Sequence, residues 1–135
     1  VPAMAFFHMP PAEFKEAYEK MKLGDHSVIY EHGSIGEKDE YFGISNRPPH
    51  FFEKAVDNGW LKWIFCGHDH LNTLSLTYKG IRMTYGMSID YLGYSGIAKQ
   101  YIQRGATLIT RKTDGNIDIT MVPLTTVVST RVRGA

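Results

Sequence analysis

The apolar positions of the chain predict strands and helices in alternation. Ala3 to Phe7 is an unbroken apolar run, which is typical of a strand covered on both faces. A helix should begin near Pro11 and end before Gly24, since Pro is tolerated in a first turn and Gly favours a helix end. Its apolar residues recur at i, i+3, i+4 and i+7: Phe14, Ala17, Tyr18 and Met21.

The middle of the chain predicts a long loop followed by a second helix and a strand. Residues 24 to 48 show no sustained periodicity and are rich in turn-forming residues, with one short strand expected at 27 to 30. Loops of this length tend to be functional or mobile. The second helix should span about residues 49 to 58 and end at Gly59. Leu61 to Cys66 follows as an apolar strand.

Two hairpins complete the pattern. Apolar residues alternate on either side of Lys79-Gly80, and again on either side of a turn at 113 to 116. Residues 125 to 135 form a tail that should fray or pair at a sheet edge. The order predicts an α/β (α+β) fold: a mixed sheet with helices on one face and terminal β-hairpins.

Composition narrows the class of protein. The 135 residues include 15 Lys+Arg and 14 Asp+Glu, a net charge of +1, and 43% are hydrophobic. This suits one globular domain and argues against a nucleic-acid partner. No apolar stretch is long enough for a membrane span or a signal peptide. The single cysteine, Cys66, excludes an internal disulfide framework and should be a buried small hydrophobe.

Histidines follow two of the predicted strands. Gly67-His68-Asp69-His70 comes directly after one strand, and His8 ends another. In an extended segment His68 and His70 would share a face with Asp69 opposite, whereas in a bent loop they could serve different ions. If the two strands are neighbours, their carboxyl ends bring the three imidazoles together, a set that suits Zn, Fe or Mn. The alternative is a hydrogen-bonded turn with exposed histidines.

In their order and spacing these segments resemble a known family. Phe6-Phe7-His8-Met9-Pro10 and Phe65-Cys66-Gly67-His68-Asp69-His70, with Asn72, are similar to the C-terminal half of the calcineurin-like metallophosphoesterases, in the purple-acid-phosphatase-like branch. The likeness covers roughly residues 3 to 120. It continues through shorter segments: Tyr78-Lys79-Gly80-Ile81, Tyr85-Gly86, Tyr91-Leu92-Gly93-Tyr94 and Arg104-Gly105-Ala106.

The resemblance implies a fold, an activity and a ligand set. Residues 1 to 124 would form the C-terminal half of a four-layer αββα sandwich, and 125 to 135 a tail. The complete protein would hold two divalent or trivalent ions (Zn, Mn or Fe) and hydrolyse phosphate mono- or diesters. His8 and His68 would bind one ion and His70 the other. Neutral imidazoles are needed for binding, so metal affinity should fall in acid.

The resemblance also implies substrate contacts outside the metal ligands. Tyr85, Tyr94 and Arg104 could line the pocket and contact the phosphate or leaving group; rim packing and turn chemistry are the alternative. The remaining histidines are expected to be solvent-exposed or to cap a helix: His26, His32 and His50.

Several family motifs are absent from the chain. The DxH, GDxxD and GNH[DE] motifs, which supply the bridging aspartate and a histidine that assists catalysis, do not occur. The chain also opens in a strand without a preceding cap, so we expect it to start within a domain whose N-terminal half is its missing partner. The isolated chain should then be inactive, and an exposed sheet could drive self-association.

Two other functions stay open at this point. The chain could be a non-catalytic domain of the same fold that binds a ligand or a protein. It could also be a mononuclear zinc hydrolase built on His8, His68 and His70, which would need a general base. Asp69 is a poor base if it points away from the histidines.

Overall fold

A computed structural model describes residues 2–45, 50–100 and 102–124. Within those ranges the chain forms two α-helices, seven strands and two short 3-10 helices. The α-helices are α1 (Ala12–Lys22) and α2 (His50–Asn58), and the 3-10 helices are Lys38–Glu40 and Ile97–Lys99. The strands are β1 (Ala3–Phe7), β2 (Val28–His32), β3 (Leu61–Cys66), β4 (Ser75–Tyr78), β5 (Ile81–Tyr85), β6 (Gly105–Arg111) and β7 (Ile117–Pro123).

The first five strands form one mixed sheet in the order β1-β3-β5-β4-β2. β1, β3 and β5 are parallel, while β4 and β2 run antiparallel to their neighbours. Phe7 pairs with Cys66, and Cys66 with Tyr85, so the three parallel strands end in register at one edge. The predicted mixed α/β architecture is confirmed, and the candidate site lies at this common edge.

Both helices pack on the same face of this sheet. The register aligns Ile64 with Met83 and Leu76 across three strands, and all three side chains are inaccessible to solvent. Phe14 of α1 and Phe52 of α2 complete this core. Burying side chains of this size contributes about 1.5–3 kcal/mol each. The predicted placement of the helices on one face is therefore confirmed.

The prediction that β1 is covered on both faces is wrong. Its burial alternates: Ala3, Ala5 and Phe7 pack against the helix-covered core, whereas Met4 is 37% exposed and Phe6 is 63% exposed. Successive side chains of a strand point to opposite faces, so an apolar run does not by itself show that both faces are covered. Phe6 stacks on Phe65 of β3 with ring centroids 5.0 Å apart.

β2 extends further than predicted and includes His32. The strand covers Val28–His32 rather than residues 27 to 30. His32 is half-buried, and its Nδ1 lies 3.2 Å from Arg82 Nη2, while Arg82 also lies 3.7 Å from Glu31. The expectation that His32 is exposed or a cap is thus wrong, because a cross-strand guanidinium engages it. His26 and His50 are exposed as expected.

The chain divides into two compact units at the Gly86–Met87 bond. In the second unit β6 and β7 pair in register, with Ile109 opposite Ile119, and form a two-stranded sheet of their own. The predicted second hairpin is confirmed. The predicted tail at 125 to 135 lies outside the described residues, and membership of a four-layer sandwich stays a prediction. None of the helices in residues 2–45, 50–100 and 102–124 is long and apolar enough to span a bilayer.

Candidate functional site

His8 and His68 meet at the common edge of the parallel strands. Each follows a strand end, and the Gly67 amide donates to the His8 carbonyl over 2.9 Å, which carries the strand pairing one step past β1 and β3. His8 Nε2 and His68 Nδ1 lie 3.0 Å apart, and the ring centroids lie 4.9 Å apart at an interplanar angle of 80°. The predicted approach of these two histidines therefore occurs.

The paired nitrogens suit two ligands of one ion. A tetrahedral zinc with Zn–N bonds of about 2.0–2.1 Å separates its ligand nitrogens by about 3.3 Å, so a small outward movement of either ring would admit an ion. His8 is exposed and His68 half-buried, which leaves the pair accessible. Within residues 2–45, 50–100 and 102–124, no group of three or more His, Cys, Asp or Glu side chains is arranged to hold a metal. The pair alone is short of a complete coordination sphere, and metal binding by His8 and His68 stays a prediction.

The His68 backbone is bent and does not continue the strand. Its φ is +71°, in the left-handed region that non-glycine residues seldom occupy. The Asp69 amide donates to the Gly67 carbonyl over 2.9 Å and closes the bend. Of the two geometries considered for the two loop histidines, the structure therefore has the bent one. His70 is half-buried, and its role as a ligand of a second ion stays a prediction.

Asp69 turns away from solvent. It is 5% exposed, and its Oδ2 accepts two hydrogen bonds, from the Tyr85 hydroxyl at 2.6 Å and from the Gly43 amide at 2.9 Å. Burial, followed by the hydrogen bond to Asp69, raises the pKa of the Tyr85 phenol, which keeps it a donor. A carboxylate with this oxygen in use is poorly suited to act as a general base at the His pair, which disfavours the mononuclear hydrolase.

The loop that precedes α2 is tied to the histidine segment through Asn72. This side chain is fully buried: its Oδ1 accepts from the amides of Gly36 and Glu37 at 3.0 and 3.1 Å, and its Nδ2 donates to the Tyr41 carbonyl at 3.1 Å. The Thr73 amide donates to Ser34 over 2.8 Å. The predicted long loop is therefore bonded to the His-bearing segment along much of its length.

The three residues predicted as substrate contacts have different surroundings. Tyr85 is fully buried against Phe14, with ring centroids 4.9 Å apart. Tyr94 is 44% exposed. Arg104 is 1% exposed and stacks on Tyr91, with its guanidinium carbon 5.1 Å from the ring centroid.

Arg104 uses its donors on the backbone of its own unit. Nε donates to the Asp90 carbonyl at 2.7 Å, Nη1 to Ile102 at 2.6 Å, and Nη2 to Ile97 at 3.3 Å. Through these bonds Arg104 holds together the segment between β5 and β6. Substrate contact by Tyr85, Tyr94 or Arg104 stays a prediction.

Cys66 lies beside the site as a packing residue, as predicted. It is 5% exposed, and its thiol contacts the Thr84 carbonyl at 3.7 Å. Burial, and to a lesser extent the Asp69 charge, raises the pKa of the thiol. The raised pKa keeps the thiol protonated and makes it a poor nucleophile.

Sequence comparison finds relatives named as purple acid phosphatases. The chain is 28% identical over 93 residues to the probable inactive purple acid phosphatase 29 of Arabidopsis thaliana, a match that covers 69% of this chain and 21% of that protein. It is 31% identical over 93 residues to the probable inactive purple acid phosphatase 28 of the same plant, covering 69% and 20%. The probable inactive purple acid phosphatase 14 matches over 47 residues at 38% identity, covering 35% and 12%.

The first two matches cover most of the chain, and all three cover little of each relative. The chain spans about a fifth of the length of the first two curated relatives. No family model matches the chain, and no solved structure matches it. The relatives therefore support a family assignment at modest identity, and their names carry no information on which residues of this chain are functional.

Proposed function

Because this chain is a C-terminal purple-acid-phosphatase-like fragment, we propose that it forms part of a metal-dependent phosphoesterase domain. In this proposal His8 and His68 bind one metal ion, His70 binds a second, and the remaining ligands come from an N-terminal half of the same domain. The substrate class is a phosphate mono- or diester. In this proposal the chain alone has no hydrolytic activity, since among the described residues no group of three or more His, Cys, Asp or Glu side chains is arranged to hold a metal.

One observation carries the proposal: His8 Nε2 and His68 Nδ1 face each other at 3.0 Å across the ends of two parallel strands. Ligands in open sheets bind at the carboxyl ends of strands, which is where these two residues lie. The same two residues belong to the two segments that resemble the family, although 60 positions separate them in sequence.

In this proposal the chain's own residues bind and orient the metal ions, and the ions supply positive charge. When bound, two ions would provide Lewis-acid stabilisation of the phosphate oxygens and activate water. His8 and His68 would hold their ion as neutral imidazoles, on strand ends fixed by the register of β1 and β3. Asp69 would take no part as a ligand, because its carboxylate is 5% exposed and its Oδ2 is held by two hydrogen bonds.

The exposed side of β1 is the proposed contact with the missing half. Phe6 is 63% exposed although it stacks on a buried aromatic neighbour, Phe65. Covering such a ring would stabilise an assembled domain by about 25 cal/mol per Å² of apolar surface removed from water. The N-terminal half, packed over this side of the sheet, would bring its acidic ligands toward the histidines.

The test uses the longer parent protein with Zn²⁺ or Mn²⁺ and p-nitrophenyl phosphate. His8→Ala, His68→Ala and His70→Ala should each lower the bound metal per protein and reduce turnover more than about 100-fold, beyond what loss of an outer-shell partner costs. His26→Ala is the matched control, since His26 is exposed and remote in sequence from both motifs. Turnover that survives both His8→Ala and His70→Ala would refute the site.

A second function has support in the relatives, all three of which are named probable inactive. The chain would then belong to a domain that binds a phosphate ester or a protein without hydrolysing it. Calorimetry separates the two: a parent that binds phosphate but shows no turnover with either metal fits the binding domain. The residues upstream of Val1 offer a simpler test, because a binding domain need not keep the acidic metal motifs.

A further inference from the structure

We propose that Asp69, Tyr85 and Gly43 form a clamp that positions the His68 ring against His8. In this role all three act through His68 and are positioning residues, which is separate from the predicted substrate contact of Tyr85. The inference deepens the proposed function, on which its metal-binding consequence rests. It begins from two contacts and one backbone conformation in the first unit.

The first contact is made by the Asp69 side chain, which anchors the loop that follows β3. Asp69 follows His68 directly, and its Oδ2 accepts from Tyr85 at the end of β5 and from the Gly43 amide. Tyr85 is fully buried and pairs in register with Cys66, the last residue of β3. The carboxylate is therefore held by a rigid strand on one side and by the preceding loop on the other, which fixes the backbone on which His68 stands.

The second contact is the close approach of Gly43 to the ring. A methyl group at Gly43 would lie 2.0 Å from His68 Cδ2, 2.5 Å from its Nε2 and 2.7 Å from Asp69 Oδ1. Such separations are far below van der Waals contact, so a methyl group at this position would displace the His68 ring or the Asp69 carboxylate. The Gly43 backbone thus closes the Nε2 side of the ring, and Nδ1 is left facing His8.

The third observation is the backbone of His68 itself. A φ of +71° costs free energy for a residue with a side chain, and such conformations persist where surrounding contacts hold them. The hydrogen bonds of Asp69 supply those contacts. Released from them, the loop would relax toward an extended backbone, and the ring would move away from His8.

The experiment follows ring geometry and metal affinity separately in the 135-residue chain. Ring geometry is read without metal, from nuclear Overhauser effects between the imidazole protons of His8 and His68. Affinity is measured with Zn²⁺ alone. The variants are Asp69→Ala, Gly43→Ala and the conservative Asp69→Asn, which keeps an acceptor oxygen. Gly105→Ala is the matched control, because its methyl group would also clash, at 2.1 Å from the Val122 carbonyl, within the second unit.

Asp69→Ala and Gly43→Ala should abolish the His8–His68 Overhauser effect and weaken Zn²⁺ binding at least about tenfold, as loss of an outer-shell partner does. Asp69→Asn should retain the effect, and Gly105→Ala should retain both the effect and the affinity. An Overhauser effect that survives both disruptive substitutions in folded protein overturns the clamp. If both variants are unfolded, Tyr85→Phe decides: a weakened effect supports the clamp, and an unchanged one overturns it.

The proposed function fails in a different way. If His8→Ala and His68→Ala leave Zn²⁺ affinity unchanged, the histidines are not metal ligands, whatever the variants of Asp69 and Gly43 do. The Overhauser effect in the unsubstituted chain needs no metal, so the clamp is judged independently of that outcome.

Discussion

The Tyr85 hydroxyl donates to Asp69 Oδ2 over 2.6 Å, joining the end of β5 to the loop that follows β3. Both residues are buried, at 0% and 5% exposure. Hydrogen bonds to a buried carboxylate are stronger than neutral ones, and leaving such a group short of a donor is costly. This bond is therefore a stability element as well as a part of the site.

Tyr85→Phe should destabilise the first unit by about 1–3 kcal/mol, because the Asp69 carboxylate loses one of its two donors. Urea unfolding followed by tryptophan fluorescence checks this, since both tryptophans, Trp60 and Trp63, precede residue 87. Tyr41→Phe, at a residue 57% exposed, is the control. Equal unfolding midpoints for the two variants would contradict the prediction.

Arg104→Lys should loosen the second unit. The planar Arg104 guanidinium donates from three nitrogens to three carbonyls, and a lysine ammonium cannot reproduce this arrangement. We therefore expect the free energy of unfolding of the second unit to fall by about 2–3 kcal/mol. Faster hydrogen exchange of the β6 amides would report it. Arg111→Lys, at the exposed end of the same strand, should leave exchange unchanged. Unchanged exchange in Arg104→Lys would show that the three bonds contribute little.

Stability of the first unit should fall as the pH drops below about 6.5, partly through His32. Burial, and then the positive charge of Arg82, lowers the pKa of His32 below its ordinary value of 6.5, with Glu31 opposing. The unfolded chain therefore takes up a proton before the folded one does, so this contribution is complete above 6.5 and is lost as the pH falls. Its Nε2, moreover, is buried without a hydrogen-bond partner among the described residues.

The test compares urea midpoints at pH 7 and pH 5 for the unsubstituted chain and His32→Asn. Asparagine can still accept from Arg82 but does not titrate in this range. The variant should lose less stability between the two pH values than the unsubstituted chain. His26→Asn, at an exposed histidine, should keep the full loss. Identical pH dependence in His32→Asn and the unsubstituted chain would be evidence against His32 as the titrating group.

Self-association through the exposed sheet stays a prediction, and Phe6 makes it testable. The ring is 63% exposed on β1, at the edge of the five-stranded sheet. Phe6→Glu places a charge there, and sedimentation velocity should show a smaller dimer fraction than in the unsubstituted chain. Leu92→Glu, at a residue 88% exposed in the second unit, should not change it. A dimer fraction that persists in Phe6→Glu would place the contact elsewhere.

Much of the fold follows from local pattern. The helical spacing of Phe14 and Ala17 and the alternation around Lys79-Gly80 are properties of adjacent residues, and the structure has α1 and the β4–β5 hairpin where they indicate. The meeting of His8 with His68 was also predictable, since parallel neighbours share a C-terminal edge. The exposure of Phe6 could not be predicted, because an apolar run carries no information on how many faces of the strand are covered.

The interior of the site depends on contacts that local pattern does not contain. Asp69 stands between two histidines in sequence, yet its partners, Gly43 and Tyr85, lie 26 and 16 positions away. Gly43 could have been noticed as a glycine in a loop, but its contact with the His68 ring requires the folded backbone. Arg104 has the chemistry of a phosphate ligand, and only the structure shows its donors committed to carbonyls.

The hydrogen bonds of Asn72 determine which segments unfold together. Its side chain bonds three backbone groups between Gly36 and Tyr41 from a position two residues beyond His70. Neither segment can detach without stranding buried polar groups of the other, which makes them one cooperative unit of local unfolding. If a bound ion ordered the histidines, we expect proteolysis after Lys38 to slow as well, although Lys38 lies thirty positions from His68 in sequence.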